Sequence, residues 1–193
     1  MARNQNLISP DRPSIYLDQW VWIHLAQAAN GRPREPGDTP LLEAVRRAST
    51  SGVCFPLSST HYIETSRARS HKRRSEVTAV MASVSHCRTL APRHVLMRTQ
   101  ILNAMHEAWG RPMFRPEKPQ VIGVGVHWAF QGKQYQLNVH GPDGLPLPPG
   151  AVIPIDVTCR LSQWAEIQFL TGPRDEEIET LRQQHGYRPE KTE

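Results

Sequence analysis

Two short apolar runs limit what this chain can fold into: Ile15-Tyr16-Leu17 and Val53-Cys54-Phe55-Pro56-Leu57. Each is too brief for a helix, and each is followed by a segment whose apolar residues recur at helical spacing. Strands separated by helices cannot be joined as a hairpin, so this order predicts an α/β fold with a short parallel sheet. Pro56 puts the second run at an edge or strand end, because it has no N–H to give a ladder.

Between the runs, Trp20, Ile23, Leu25 and Ala28 predict a mostly buried helix from Gln19 to Ala29. "NGRPREPGD" reads as a Gly- and Pro-dense loop. "DTPLLEAVRRASTSG" predicts a helix with Thr39 as N-cap, Pro40 at the first helical position and Gly52 just past its end. "SSTHYIETSRA" opens the next helix under Ser58 or Ser59, and "SEVTAVMASVSHC" and "APRHVLMRTQILNAMHEAWG" predict two more. The chain of 193 residues, with 17 prolines, divides by composition into three parts. Residues 1–110 form the core, and 111–150 form a proline-rich linker with a β-hairpin ("VIGVGVHWAF" and "YQLNVH" around "QGKQ"). Residues 151–193 form a helical extension.

No apolar run approaches the roughly 18 residues a membrane span needs, and the N-terminus has no secretory pattern. The three cysteines are widely spaced, so buried thiols in a reducing, cytoplasmic setting are expected. The net charge of +5 is concentrated: Glu64 to Arg98 holds eight Lys or Arg against two acids. Such a centre suggests a polyanionic partner, most simply nucleic acid, or else a solvated basic face. "GVGVHW" lies in the expected hairpin and opens no helix, which argues against a dinucleotide site. The scattered histidines lack zinc spacing. Tryptophans are expected in packing roles, with base stacking open to Trp128.

Asp18 and Glu64 are the candidate site. Asp18 ends the first run, where an open α/β sheet places its ligands, although an N-cap role fits the position equally. Glu64 follows the second run by one turn of helix. It is too late for a capping box, which needs residue 61 or 62, but a surface acid is the plain alternative. With no Lys or Arg between residues 14 and 31, two carboxylates meeting there would repel unless a hard cation, Mg²⁺ or Mn²⁺, joined them. On a continuous helix Arg67 and Arg74 share Glu64's face, so Arg67, Arg73 and Arg74 are the candidate phosphate-binding residues.

"IYLDQWVWIHLA" followed by "VCFPLSSTHYIETSRARSHKRRSEVTAVMASVS" resembles the opening half of a PIN-like domain, over residues 13–108. The resemblance implies a three-layer α/β/α core and a metal-dependent nuclease, most often a ribonuclease, of the kind found in toxin or defence systems. It makes Asp18 and Glu64 ligands of Mg²⁺ or Mn²⁺ and the activators of water, with RNA preferred over DNA. A homodimer or an inhibitor protein stands open as a further partner. The family's third acid has only Asp156 as a candidate here. The chain is accordingly expected to be a divergent member, or the front part of a longer protein with acids beyond Glu193. A non-catalytic module that binds nucleic acid or a partner is the alternative.

Overall fold

A computed structural model describes residues 12–68, 70–114, 119–133, 140, 144–145 and 155–186. Helices carry most of it: α1 (Gln19–Ala29), α2 (Asp38–Thr50), α3 (Ser59–Ser66), α4 (His71–Ser85), α5 (Arg93–Ala108), α6 (Val126–Gln131), α7 (Ile155–Thr171) and α8 (Asp175–His185). The expected three-layer core with a parallel sheet does not form. Among the described residues the sheet has two antiparallel strands, β1 (Arg88–Leu90) and β2 (Ile122–Val124).

The two apolar runs are extended, but they make parallel contact only as isolated bridges, Ser14 with Cys54 and Leu57 with Thr89. Cys54 and Leu57 donate their N–H groups to the carbonyls of Pro13 and Arg88, at 2.9 and 2.8 Å. Pro56, lying between them, has no N–H, so the pairing cannot extend into a ladder. With so little sheet to cover it, the first run does not become buried. Ile15 is 48% and Tyr16 49% exposed, while Leu17 packs against the core.

The core is built where helix faces meet. Trp22 and Leu25 of α1, Leu42 and Val45 of α2, and Val80, Met81 and Val84 of α4 close around Phe55 and Leu57. Each such side chain taken from water contributes about 1.5–3 kcal/mol. The expected stripe on α1 is displaced: Trp22, Leu25, Ala26 and Ala28 point inward, whereas Trp20 is 59% exposed. Helix α7 packs on α4 and α3 and sends Leu170 into the core, so the C-terminal part shares the core of the N-terminal part. Helix α5 buries none of its residues.

The expected hairpin is also replaced. Its first arm pairs as β2 with β1, then turns into α6; the second arm, residues 135–140, lies outside the described residues apart from His140. Gly125 makes the turn at φ +87, a region open essentially to glycine alone. The Val126 N–H that opens α6 donates to Glu166 of α7 at 2.8 Å, and Tyr62 donates to the same carboxylate oxygen at 3.2 Å. Burial pushes the Glu166 carboxyl above the ordinary range, with these hydrogen bonds opposing, and pushes the nearby Cys87 thiol up to about 12. A Cβ at position 125 would lie 2.4 Å from Glu166 Oε1. Gly125→Ala is therefore expected to destabilise the fold by about 1–3 kcal/mol, read as a fall in the urea midpoint. Trp128 is buried against Gly123, which leaves it no face for stacking a base.

Candidate functional site

Asp18 is the N-cap residue of α1, but its side chain makes no capping hydrogen bond. Its backbone carbonyl starts the helix instead, accepting from Val21 at 3.0 Å and Trp22 at 3.3 Å. The carboxylate is exposed, and no described residue partners it. Glu64, on α3, is likewise exposed and unpartnered among the described residues. Neither acid is used for capping or pairing.

Two side-chain bonds tie the surroundings of one acid to those of the other. The residue before Asp18, Leu17, accepts a hydrogen bond from His61 Nε2 at 2.9 Å. The residue after it, Gln19, donates to Thr65 Oγ1 at 3.1 Å. Glu64 lies between His61 and Thr65 in the sequence of α3, so the backbone segments that carry the two acids are tied together. His61 also accepts the Ser58 N–H on Nδ1 at 2.9 Å. A histidine thus fills the place in the capping box that Glu or Gln takes elsewhere. Burial lowers the His61 pKa, against the opposing pull of the Leu17 carbonyl and the Asp18 charge.

Beside this junction a cleft of about 460 Å³ opens between α1, α3 and α4. Glu64, Arg73 and Arg74 line it, and Asp18 and Arg67 do not. Arg67 caps α3, which ends at Ser66, and α4 restarts at His71, so no continuous helix aligns Arg67 and Arg74. Arg73 is exposed and unpartnered among the described residues. Arg74 is different: it is 2% exposed. Its guanidinium donates to the carbonyls of Thr171 and Ala68, both at 2.7 Å, to the Pro173 carbonyl, and to Asp175 at 3.3 Å. That set holds the α7–α8 turn and engages four of the five guanidinium N–H groups, so Arg74 is buried in the fold and not presented to a phosphate.

The loop read only as a connector supplies two more arginines, Arg32 and Arg34. Asp38, buried at the start of α2, organises it by accepting the N–H groups of Arg34 and Glu35 at 2.8 and 2.9 Å and bonding His24 at 3.1 Å. The Glu35 N–H holds the Asp38 carboxyl below the usual range, with help from His24 and the Arg34 N–H and against burial. Arg32 pairs with Glu76 at 2.7 Å, whereas the Arg34 side chain has no described partner. Only the concentration of Arg, Gly and Pro in "NGRPREPGD" could have flagged this loop, and that pattern is common in ordinary turns.

Among the described residues, no three His, Cys, Asp or Glu side chains group as a metal cluster. The Asp156 side chain lies outside the described residues, as do Arg69 and the side chain of Cys159. Cys54 and Cys87 are free and buried, and no described helix is long and apolar enough to cross a membrane. No protein-family model, curated protein or solved structure matches the chain.

Proposed function

We propose that the chain is a metal-dependent nuclease that cleaves RNA in preference to DNA, working in the cytoplasm. The observation that supports this reading is the pair of bonds, Leu17 to His61 and Gln19 to Thr65, that ties the backbone carrying Asp18 to the helix carrying Glu64, with an arginine-lined cleft beside them. The PIN-like resemblance of residues 13–108 points to the same chemistry.

The donor set fits Mg²⁺ or Mn²⁺. Hard divalent ions take oxygen ligands, and one or two carboxylates with water and phosphate oxygens suffice for Mg²⁺. Asp18 and Glu64 offer carboxylate oxygens to which no cation among the described residues is bonded. When bound, such an ion supplies a more acidic water and neutralises charge at the phosphate. The chain's own residues do the rest. Arg34 and Arg73 hold the nucleic-acid backbone, their forked guanidinium groups matching phosphate oxygens. His61 holds the Leu17 carbonyl and thereby the backbone that carries Asp18. Arg32 neutralises Glu76, so that the second acid of the cleft does not repel the substrate.

Cleavage of labelled RNA and DNA oligonucleotides in Mn²⁺ is the test. Asp18→Asn and Glu64→Gln are each expected to lower the rate at least about tenfold with folding intact, as befits loss of a metal ligand. Wild-type activity in either variant would remove that residue from the site. Binding without cleavage by the wild type would instead identify a nucleic-acid-binding module.

A further inference from the structure

Two aromatic side chains that the apolar pattern would bury stand in solvent on either side of Asp18. Tyr16 and Trp20 are each two residues from it, and both are exposed. Each ring is nevertheless held in place. Tyr16 packs on His61 with ring centroids 5.1 Å apart and planes inclined at 33°, and its hydroxyl bonds Ser58 Oγ at 3.2 Å. His61 is itself buried and bonded to the Leu17 carbonyl and the Ser58 N–H. Trp20 meets the His24 ring at 88°, with centroids 5.3 Å apart. His24 bonds Asp38, and Asp38 accepts the Arg34 N–H, so one buried carboxylate orders both the support of Trp20 and the backbone of Arg34. Trp20 is also the neighbour, one helical turn back, of Ile23, which lines the cleft together with Arg34 and Arg73.

A single exposed apolar residue is ordinary, but Ile15, Tyr16, Trp20 and Ile23 are exposed within one short stretch of chain around an exposed acid. Rings held beside unpartnered guanidinium groups match the chemistry of a single nucleic-acid strand, whose bases stack on aromatic faces while its phosphates meet positive charge. We propose that Tyr16 and Trp20 are base-stacking platforms, one on each side of Asp18, for a strand whose phosphates are held by Arg34 and Arg73. Because the rings are fixed before the strand arrives, little side-chain freedom is lost when a base settles on them. The platforms tolerate any sequence, since every base has a π-face. The inference rests on the nuclease reading for the polymer that supplies the bases, but stacking needs neither metal nor cleavage.

The experiment is fluorescence anisotropy of a labelled eight-nucleotide RNA of mixed sequence in EDTA, repeated across a salt series. Tyr16→Leu and Trp20→Leu, which keep apolar bulk and remove the π-face, are each expected to weaken binding about fivefold or more, the scale of one stacked base. Tyr16→Phe and Trp20→Phe keep a face and should recover most of that affinity. The salt slope should be the same in all of them, because the slope counts phosphate contacts and stacking makes none. Both positions are exposed, so the melting temperatures should stay at the wild-type value. No binding by the wild type, leucine variants that bind like the wild type, phenylalanine variants as weak as leucine, or a loss that comes with a changed salt slope would overturn the platforms. Cleavage in Mn²⁺ separates the two readings. If the leucine variants lose affinity and the wild type cleaves no RNA, the platforms stand and the nuclease falls. If the wild type cleaves RNA and the leucine variants bind as it does, the reverse holds.

Discussion

Arg74→Ala is expected to destabilise the protein by about 3–5 kcal/mol, through lost packing of a buried side chain and the loss of four hydrogen bonds whose acceptors are left without that donor. The guanidinium reaches from α4 to the end of α7, the start of α8 and the α3–α4 connection, bonding three carbonyls and one carboxylate. Two of those carbonyls, Thr171 and Pro173, flank Gly172, which takes φ +68 to end α7. A positive group at a helix C-terminus also satisfies carbonyls that have no partner within the helix. Removing it strands these acceptors and loosens Asp175, which accepts the His71 N–H at the start of α4 at 2.9 Å. Arg74→Lys should recover only part of the loss, because one ammonium cannot serve acceptors spread over three elements. Chemical denaturation measures the difference directly. Arg73→Ala sets the contrast one residue away: unchanged stability, with weaker nucleic-acid binding and a salt slope reduced by about one. A mild Arg74→Ala phenotype would mean that α7 is held by its packing alone.

That contrast shows where the sequence is readable and where it is not. Arg73 and Arg74 look alike in "SHKRRSEV", and local pattern assigns both to phosphate. What separates them is a turn almost 100 residues later, whose carbonyls select one guanidinium and leave the other in solvent. The helices were legible because their signals are local: α2, α4 and α5 overlap the segments whose apolar spacing predicts them. The sheet was not, since pairing depends on partners distant in sequence. Val53 to Leu57 has strand composition, yet Pro56 and a lack of neighbours reduce its pairing to two bridges. "VIGVGVHWAF" has strand composition too. Its helical second half forms because Glu166, from another helix, accepts the first N–H of α6. Asp18 and Glu64 are candidates by position alone, each following an apolar run. His61, which joins their surroundings, was passed over because a histidine in a capping box has no pattern of its own.

His61→Ala is expected to cost about 2–4 kcal/mol and to lower cleavage together with stability, whereas His61→Gln should preserve both within about 1 kcal/mol. The side chain is 1% exposed, and it holds two backbone groups, the Ser58 N–H on Nδ1 and the Leu17 carbonyl on Nε2. Alanine leaves both unsatisfied over a new cavity. A glutamine carries an acceptor and a donor at nearly the same spacing as the two ring nitrogens, so it can serve both, and Gln is itself a natural third residue of a capping box. The pair of variants also fixes the pH dependence. Nδ1 accepts, so only the neutral ring fits, and burial holds the folded pKa below the unfolded value of 6.5. The unfolded chain therefore binds the proton first. This contribution to stability is fully present above about pH 6.5 and declines as pH falls below it, until the folded form also protonates. His61→Gln should remove that decline between pH 7 and 5 while leaving stability at pH 8 close to wild type. An acid-side slope identical in wild type and His61→Gln would assign it to other groups and leave His61 a neutral strut. Cleavage adds the readout that stability alone would not move. At pH 8, where both proteins are fully folded, His61→Gln should cleave like wild type, because the Leu17 carbonyl and the backbone carrying Asp18 stay fixed to α3.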